Sequence, residues 1–160
     1  MTQRVKLEVV DRRDFIVGAS AATVLAMLLG KAGSASAQDK PPTFDEVMKK
    51  IVGDKKPEEG KIAIDLPEIA ENGNTVPYTV GVESPMSDSD YVKSLHVLAS
   101  GNPGPNVASY HFSPLAGEAK VSSRMRLAKT QDIYAIAELS NGKVLMGKRT
   151  VKVTIGGCGG

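Results

Sequence analysis

Between Ile62 and Ile155 the chain is a succession of short stretches in which every second residue is apolar, cut by clusters of Gly, Pro and Asn. Ile62, Ile64 and Leu66 alternate with small or polar residues, as do Val76, Tyr78, Val80 and Val82, and later Val151, Val153 and Ile155. A repeat of two is the strand repeat. Further strands are expected at Tyr91–Ala99, Val107–Ser113, Ala119–Leu127, Asp132–Leu139 and Lys143–Ile155. The breaks between them carry turn chemistry: Asn72-Gly73-Asn74, the polar run Pro85–Asp90, Gly101-Asn102-Pro103-Gly104-Pro105, and the hairpin signal Asn141-Gly142. Pro67 and Pro77 point to strand ends or edges. About seven short strands with no strand-helix-strand rhythm predict an all-β, immunoglobulin-like antiparallel sandwich over residues 61–155.

Upstream the pattern changes twice. Thr43 and Glu46 form a capping box that opens a short amphipathic helix from about Phe44 to Ile51, and the charged stretch Gly53–Gly60, broken by Pro57, reads as a linker. Residues 38–60 are thus a helix and linker. Before them, Arg12-Arg13 precede an apolar run from Phe15 to Leu29, then Lys31 and the small-residue sequence Ala35-Ser36-Ala37. That order is the order of a bacterial export signal, and the paired arginines make it a twin-arginine type. The apolar run is shorter than the ~20 residues that span a bilayer, so residues 1–37 are expected to be a removed signal and the protein periplasmic.

Removing residues 1–37 from the 160-residue chain leaves 123, a usual size for one domain. The leader holds Arg4, Lys6, Arg12, Arg13 and Lys31 against Glu8, Asp11 and Asp14, which accounts for the whole net charge of +2. The remainder is balanced, so no argument for nucleic acid or an anionic membrane follows from charge.

The chain has one cysteine, Cys158, inside the closing sequence Gly156-Gly157-Cys158-Gly159-Gly160. A single cysteine cannot form an internal bridge, and in an oxidising compartment it suggests intermolecular pairing or a reactive thiol. Four residues without a Cβ have wide backbone freedom, so residues 156–160 read as a swinging arm that presents a sulfur, reaching roughly 10 Å from Ile155 to Cys158 at about 3.3–3.6 Å per residue. Valines at Gly156 and Gly157 are expected to stiffen this stem and leave the sandwich core untouched. No lysine, arginine or helix N-terminus adjoins Cys158 in sequence, while the terminal carboxylate two residues on disfavours a thiolate.

Other chemistry is not called for. His96 and His111 lie in strands, Met86, Met125 and Met146 are scattered, and no set of soft ligands is gathered for a metal. Asp88, Asp90, Glu118 and Asp132 suit turns and solvated faces, and neither a phosphate-binding loop nor a G-x-S-x-G elbow is present. The chain is expected to be no enzyme and to need no metal or cofactor.

Four stretches carry a family resemblance: Ser84–Val92, Asn102-Pro103-Gly104-Pro105, Arg124–Ala128 with Thr130-Gln131, and Val151–Ile155 before the glycine arm. Together, from about Phe44 to Gly160, they resemble SoxY, the sulfur-carrier subunit of the periplasmic thiosulfate-oxidising complex. The resemblance implies that Cys158 is the covalent attachment site. It implies loading with thiosulfate by a c-type cytochrome enzyme, release of sulfate by a dimanganese hydrolase, and oxidation of the remaining sulfur by a sulfane dehydrogenase. It also implies a heterodimer with a SoxZ-like subunit, which the exposed thiol can link into a disulfide-bonded heterotetramer.

Two other readings remain open. The terminal Gly-Gly is shared with carriers that move sulfur as a thiocarboxylate on the last glycine, here Gly160. An exported, non-enzymatic interaction domain could also use Cys158 to join two copies.

Overall fold

The computed structural model describes residues 41–157. The capping box forms as expected: the Thr43 amide donates to Glu46 Oε2 at 2.7 Å and the Glu46 amide to Thr43 Oγ1 at 3.4 Å. It opens helix α1 (Phe44–Val52), with Asp45 and Glu46 in the first turn, Lys49 and Lys50 in the last, and Gly53 as C-cap at φ 61°. Both charge placements complement the helix dipole. Its apolar face, Phe44, Val47, Met48, Ile51 and Val52, packs on Leu98, Ile136 and Val144. Phe44 meets the Tyr134 ring at 5.0 Å between centroids.

Nine strands come after the helix: β1 (Glu58–Glu59), β2 (Ile62–Asp65), β3 (Ile69–Asn72), β4 (Val76–Val82), β5 (Val92–Ala99), β6 (Asn106–His111), β7 (Ala119–Met125), β8 (Gln131–Leu139) and β9 (Val144–Ile155). A six-stranded sheet runs β1-β9-β8-β5-β6, with β3 also on β9, and faces a three-stranded sheet β2-β4-β7. The sandwich architecture is the expected one. Val76, Tyr78, Val80 and Val82 of β4 enter the shared core with Leu95 and Val97 of β5 and Ile133, Ala135 and Ala137 of β8. Because α1 covers the other face of the large sheet, β5 and β8 are buried on both sides and their strict alternation is lost. The Tyr78 and Tyr110 hydroxyls meet at 2.8 Å and join the two sheets.

Two expectations are corrected. The stretch Gly53–Gly60 is not only a linker, since Glu58 and Glu59 pair in parallel with Leu145 and Met146 of β9. Residues 69–72 form a second parallel addition, with Ile69 opposite Lys152 and Asn72 opposite Ile155. The sandwich therefore has nine strands rather than about seven, and it is not wholly antiparallel. β1 has only two residues and β3 buries only Ala70, so neither shows a repeat of two. Pro77 is the second residue of β4 and fits the strand-end expectation: β4 is the middle strand of its sheet, but its pairing with β2 begins only at Thr79. Among the described residues no helix is long and apolar enough to cross a membrane.

Candidate functional site

β9 carries the chain, strand-paired, as far as Ile155, whose side chain is 67% exposed at the end of the sandwich. The arm beyond it is not a free tether from its first glycine. The Ile155 carbonyl accepts from the Gly73 amide at 2.7 Å, the Gly73 carbonyl accepts from the Leu127 amide at 2.8 Å, and the Leu127 carbonyl accepts from the Gly157 amide at 2.8 Å. Three distant segments are thereby closed into one backbone junction: the β3–β4 turn, the β7–β8 loop and the root of the arm.

Glycine is required at this junction for close approach. A Cβ on Gly73 would fall on the Leu127 carbonyl oxygen and lie 2.7 Å from the Gly157 nitrogen; one on Gly157 would lie 2.7 Å from the Gly73 oxygen; one on Gly156 would fall on the Ala128 oxygen. Gly73 and Gly157 are buried. The expectation that valines at Gly156 and Gly157 leave the sandwich untouched is therefore corrected, because the backbones of Ala128 and Gly73 occupy the space those side chains need. Cys158, Gly159 and Gly160 lie outside the described residues.

The loop that receives the root is held from within. Leu127 is fully buried, while Arg126 and Lys129 on either side are exposed. Asn102 donates through Nδ2 to the Arg126 carbonyl at 2.8 Å and accepts at Oδ1 from the Ala128 amide at 3.0 Å. Gln131 donates through Nε2 to Asn102 Oδ1 at 2.8 Å and to the Lys129 carbonyl at 3.1 Å, and accepts from the Gly101 amide at 2.7 Å. Thr130 Oγ1 accepts from the Val153 amide at 3.0 Å, tying the same loop to β9. Cations absent from the sequence neighbourhood of Cys158 are thus carried on the loop that binds the arm root. Separation in sequence hides this junction; its one visible signal is Gly73, which reads as an ordinary turn glycine between two asparagines.

The histidines are spent elsewhere. His96 on β5 shares hydrogen bonds with Ser109 at 2.8 Å and Ser94 at 3.2 Å, and its ring stands edge-on to His111 at 6.3 Å. Burial, and then the neighbouring His111, lower its pKa below the ordinary histidine value. It borders a groove of about 620 Å³ beside α1, with Val47, Lys50, Ile51 and Glu138. Glu138 is held below the usual carboxylate range first by its hydrogen bond from Lys55. Among the described residues no three His, Cys, Asp or Glu side chains are gathered to hold a metal ion.

Residues 48–158 match the family described as sulfur oxidation protein SoxY. The chain belongs to the SoxY family. Its fold is similar to that of the sulfur carrier protein SoxY from Chlorobium limicola f thiosulfatophilum, with 34% identity and a TM-score of 0.60 over 71% of this chain and 97% of that one. Superoxide reductases share the fold alone. The neelaredoxin from Ignicoccus hospitalis is 19% identical with a TM-score of 0.53, over 59% of this chain and 80% of that one. The superoxide reductase from Nanoarchaeum equitans is 14% identical with a TM-score of 0.51, over 61% of this chain and 99% of that one. Curated protein sequences give no match. Three of the four stretches that carry the SoxY resemblance meet at the arm root: Asn102, the run Arg126–Ala128 with Thr130-Gln131, and the end of β9.

Proposed function

We propose that this SoxY-family chain is a covalent carrier of sulfur intermediates in thiosulfate oxidation, with Cys158 as the attachment site. One observation carries the reading: the family match extends to residue 158 and so takes in the cysteine of the glycine arm. Family membership supports a sulfur-carrier role within a Sox complex that includes a SoxZ-type subunit. Joining the Cys158 thiolate to thiosulfate forms one S–S bond and releases two electrons, taken up by a c-type cytochrome enzyme. Hydrolysis then releases the terminal sulfone as sulfate at a dimanganese enzyme and leaves a persulfide on Cys158, which a sulfane dehydrogenase oxidises further. The carrier itself needs no cofactor in this cycle and acts as the substrate of its partners. The leader, residues 1–37, directs it to the periplasm by the twin-arginine route.

Intact-mass analysis of protein isolated without reductant tests this reading. Heterogeneous, reductant-labile sulfur adducts confined to Cys158 are expected. A single unmodified mass under turnover, or full thiosulfate oxidation by Cys158→Ser, refutes it. Adducts on Gly160 would establish the thiocarboxylate alternative instead.

A further inference from the structure

The arm root is tied to the sandwich backbone to backbone, yet the loop that receives it is held by two side chains whose hydrogen bonds go to the loop, to Gly101 and to each other. Between the end of β7 at Met125 and the start of β8 at Gln131, the Arg126 carbonyl, Ala128 amide and Lys129 carbonyl are met by the amides of Asn102 and Gln131. The pair is mutually locked. Gln131, only 6% exposed, uses both Nε2 protons and its oxygen; turning either amide over would set donor against donor and acceptor against acceptor. A buried amide with every donor and its acceptor engaged, as at Gln131, fixes one geometry, because any other leaves a buried polar group unpaired. The element that the pair fixes is the one whose Leu127 carbonyl holds the Gly157 amide.

We propose that Asn102 and Gln131 are positioning residues for the carrier arm: by fixing the 126–129 loop they set the place at which Gly157, the root of the arm, is tied to the sandwich. The inference rests on the reading of Cys158 as the attachment site. While the Gly157–Leu127 bond is made, only Cys158, Gly159 and Gly160 lie beyond the tie. The loading enzyme then meets an arm that leaves the sandwich at Gly157 rather than at Ile155, so the free reach begins two residues later. An effective molarity gained by fixing a reacting group acts on the bound step.

The test uses the full mature chain with its partner subunit, comparing Asn102→Ala and Gln131→Ala with the parent. Hydrogen exchange of the Gly157 amide should accelerate about tenfold or more, while the Ile136 amide in the core of β8 stays within about twofold. Loading of Cys158 by its enzyme should lose about tenfold in kcat with KM for the carrier little changed, because the surfaces of the sandwich are untouched. Alkylation of Cys158 by iodoacetamide should stay within about twofold, since it requires no delivery. Asn102→Asp, which keeps the acceptor and loses the donor, should fall between parent and Asn102→Ala. Gly156→Ala, which displaces the root but leaves both amides in place, should reproduce the loading defect. Unchanged Gly157 exchange in both alanine variants overturns the inference. So does an equal rise at Ile136, which would make the pair a support of the whole sandwich. If the parent is never loaded at Cys158, the carrier reading fails, and Gly157 exchange still decides whether the two amides hold the root.

Discussion

Gly73→Ala is the sharpest probe of the junction, since the φ of Gly73 lies outside the left-handed region and alanine meets no backbone penalty there. The whole cost is steric. The added methyl would fall on the Leu127 carbonyl and stand 2.7 Å from the Gly157 nitrogen and 3.1 Å from Val153 Cγ1, and two of those neighbours are backbone, which cannot rotate away. To admit it, the β3–β4 turn must withdraw from Leu127 and the arm root. The Gly73–Ile155, Leu127–Gly73 and Gly157–Leu127 hydrogen bonds are then lost or stretched. At about 1 kcal/mol each, the three contribute roughly 3 kcal/mol. For a domain of this size that lowers Tm by roughly 10 °C. Urea unfolding measures it directly: the midpoint should fall with the slope unchanged. Gly104→Ala is the matched control, as no atom stands within 4 Å of its Cβ and its φ is unexceptional, so it should stay within about 0.5 kcal/mol of the parent. A Gly73→Ala protein as stable as Gly104→Ala would refute the close-approach argument.

The sheet-to-sheet contact offers a second test: Tyr78→Phe and Tyr110→Phe should each cost about 1 kcal/mol, and the double variant little more than either alone. Additive costs in urea unfolding would mean that the 2.8 Å hydroxyl contact contributes nothing. His96 predicts a pH dependence. Its folded pKa lies below the ordinary value of 6.5, so the unfolded chain binds the proton more tightly. Stability should be full above that value, fall as pH drops through it, and level off below the folded pKa. Thermal melts of the parent and His96→Gln between pH 7.5 and about 5 should show this slope in the parent and a shallower one in the variant; equal slopes would clear His96 of the effect.

The legible parts of this fold are those in which local chemistry and tertiary role agree. The Thr43–Glu46 box needs only four residues to declare itself, and β4 alternates because one face is buried and the other is not. β1 and β3 leave no such mark because they are held by the edge of β9 rather than by any pattern of their own; β3 buries only Ala70. β5 and β8 lie where the sequence places them, but the cause of their continuous burial is hidden, since it lies in α1 docking across Leu98 and Ile136.

Glycine is the harder case. Its missing Cβ permits either a wide range of backbone conformations or a backbone packed against another, and sequence does not separate the two. At Gly156 and Gly157 the opposing surfaces are Ala128 and Gly73, about 28 and 84 residues away along the chain. In the sequence Asn102 and Gln131 stand only as marks of a family, and the junction supplies a physical reason for those residue types. Asn102 donates to Arg126 and accepts from Ala128 at once, and a side-chain amide offers both from the two adjacent atoms of one small planar group. Aspartate lacks the donor and leucine lacks both, so the demand at position 102 comes from the geometry of the arm root rather than from the turn in which it sits.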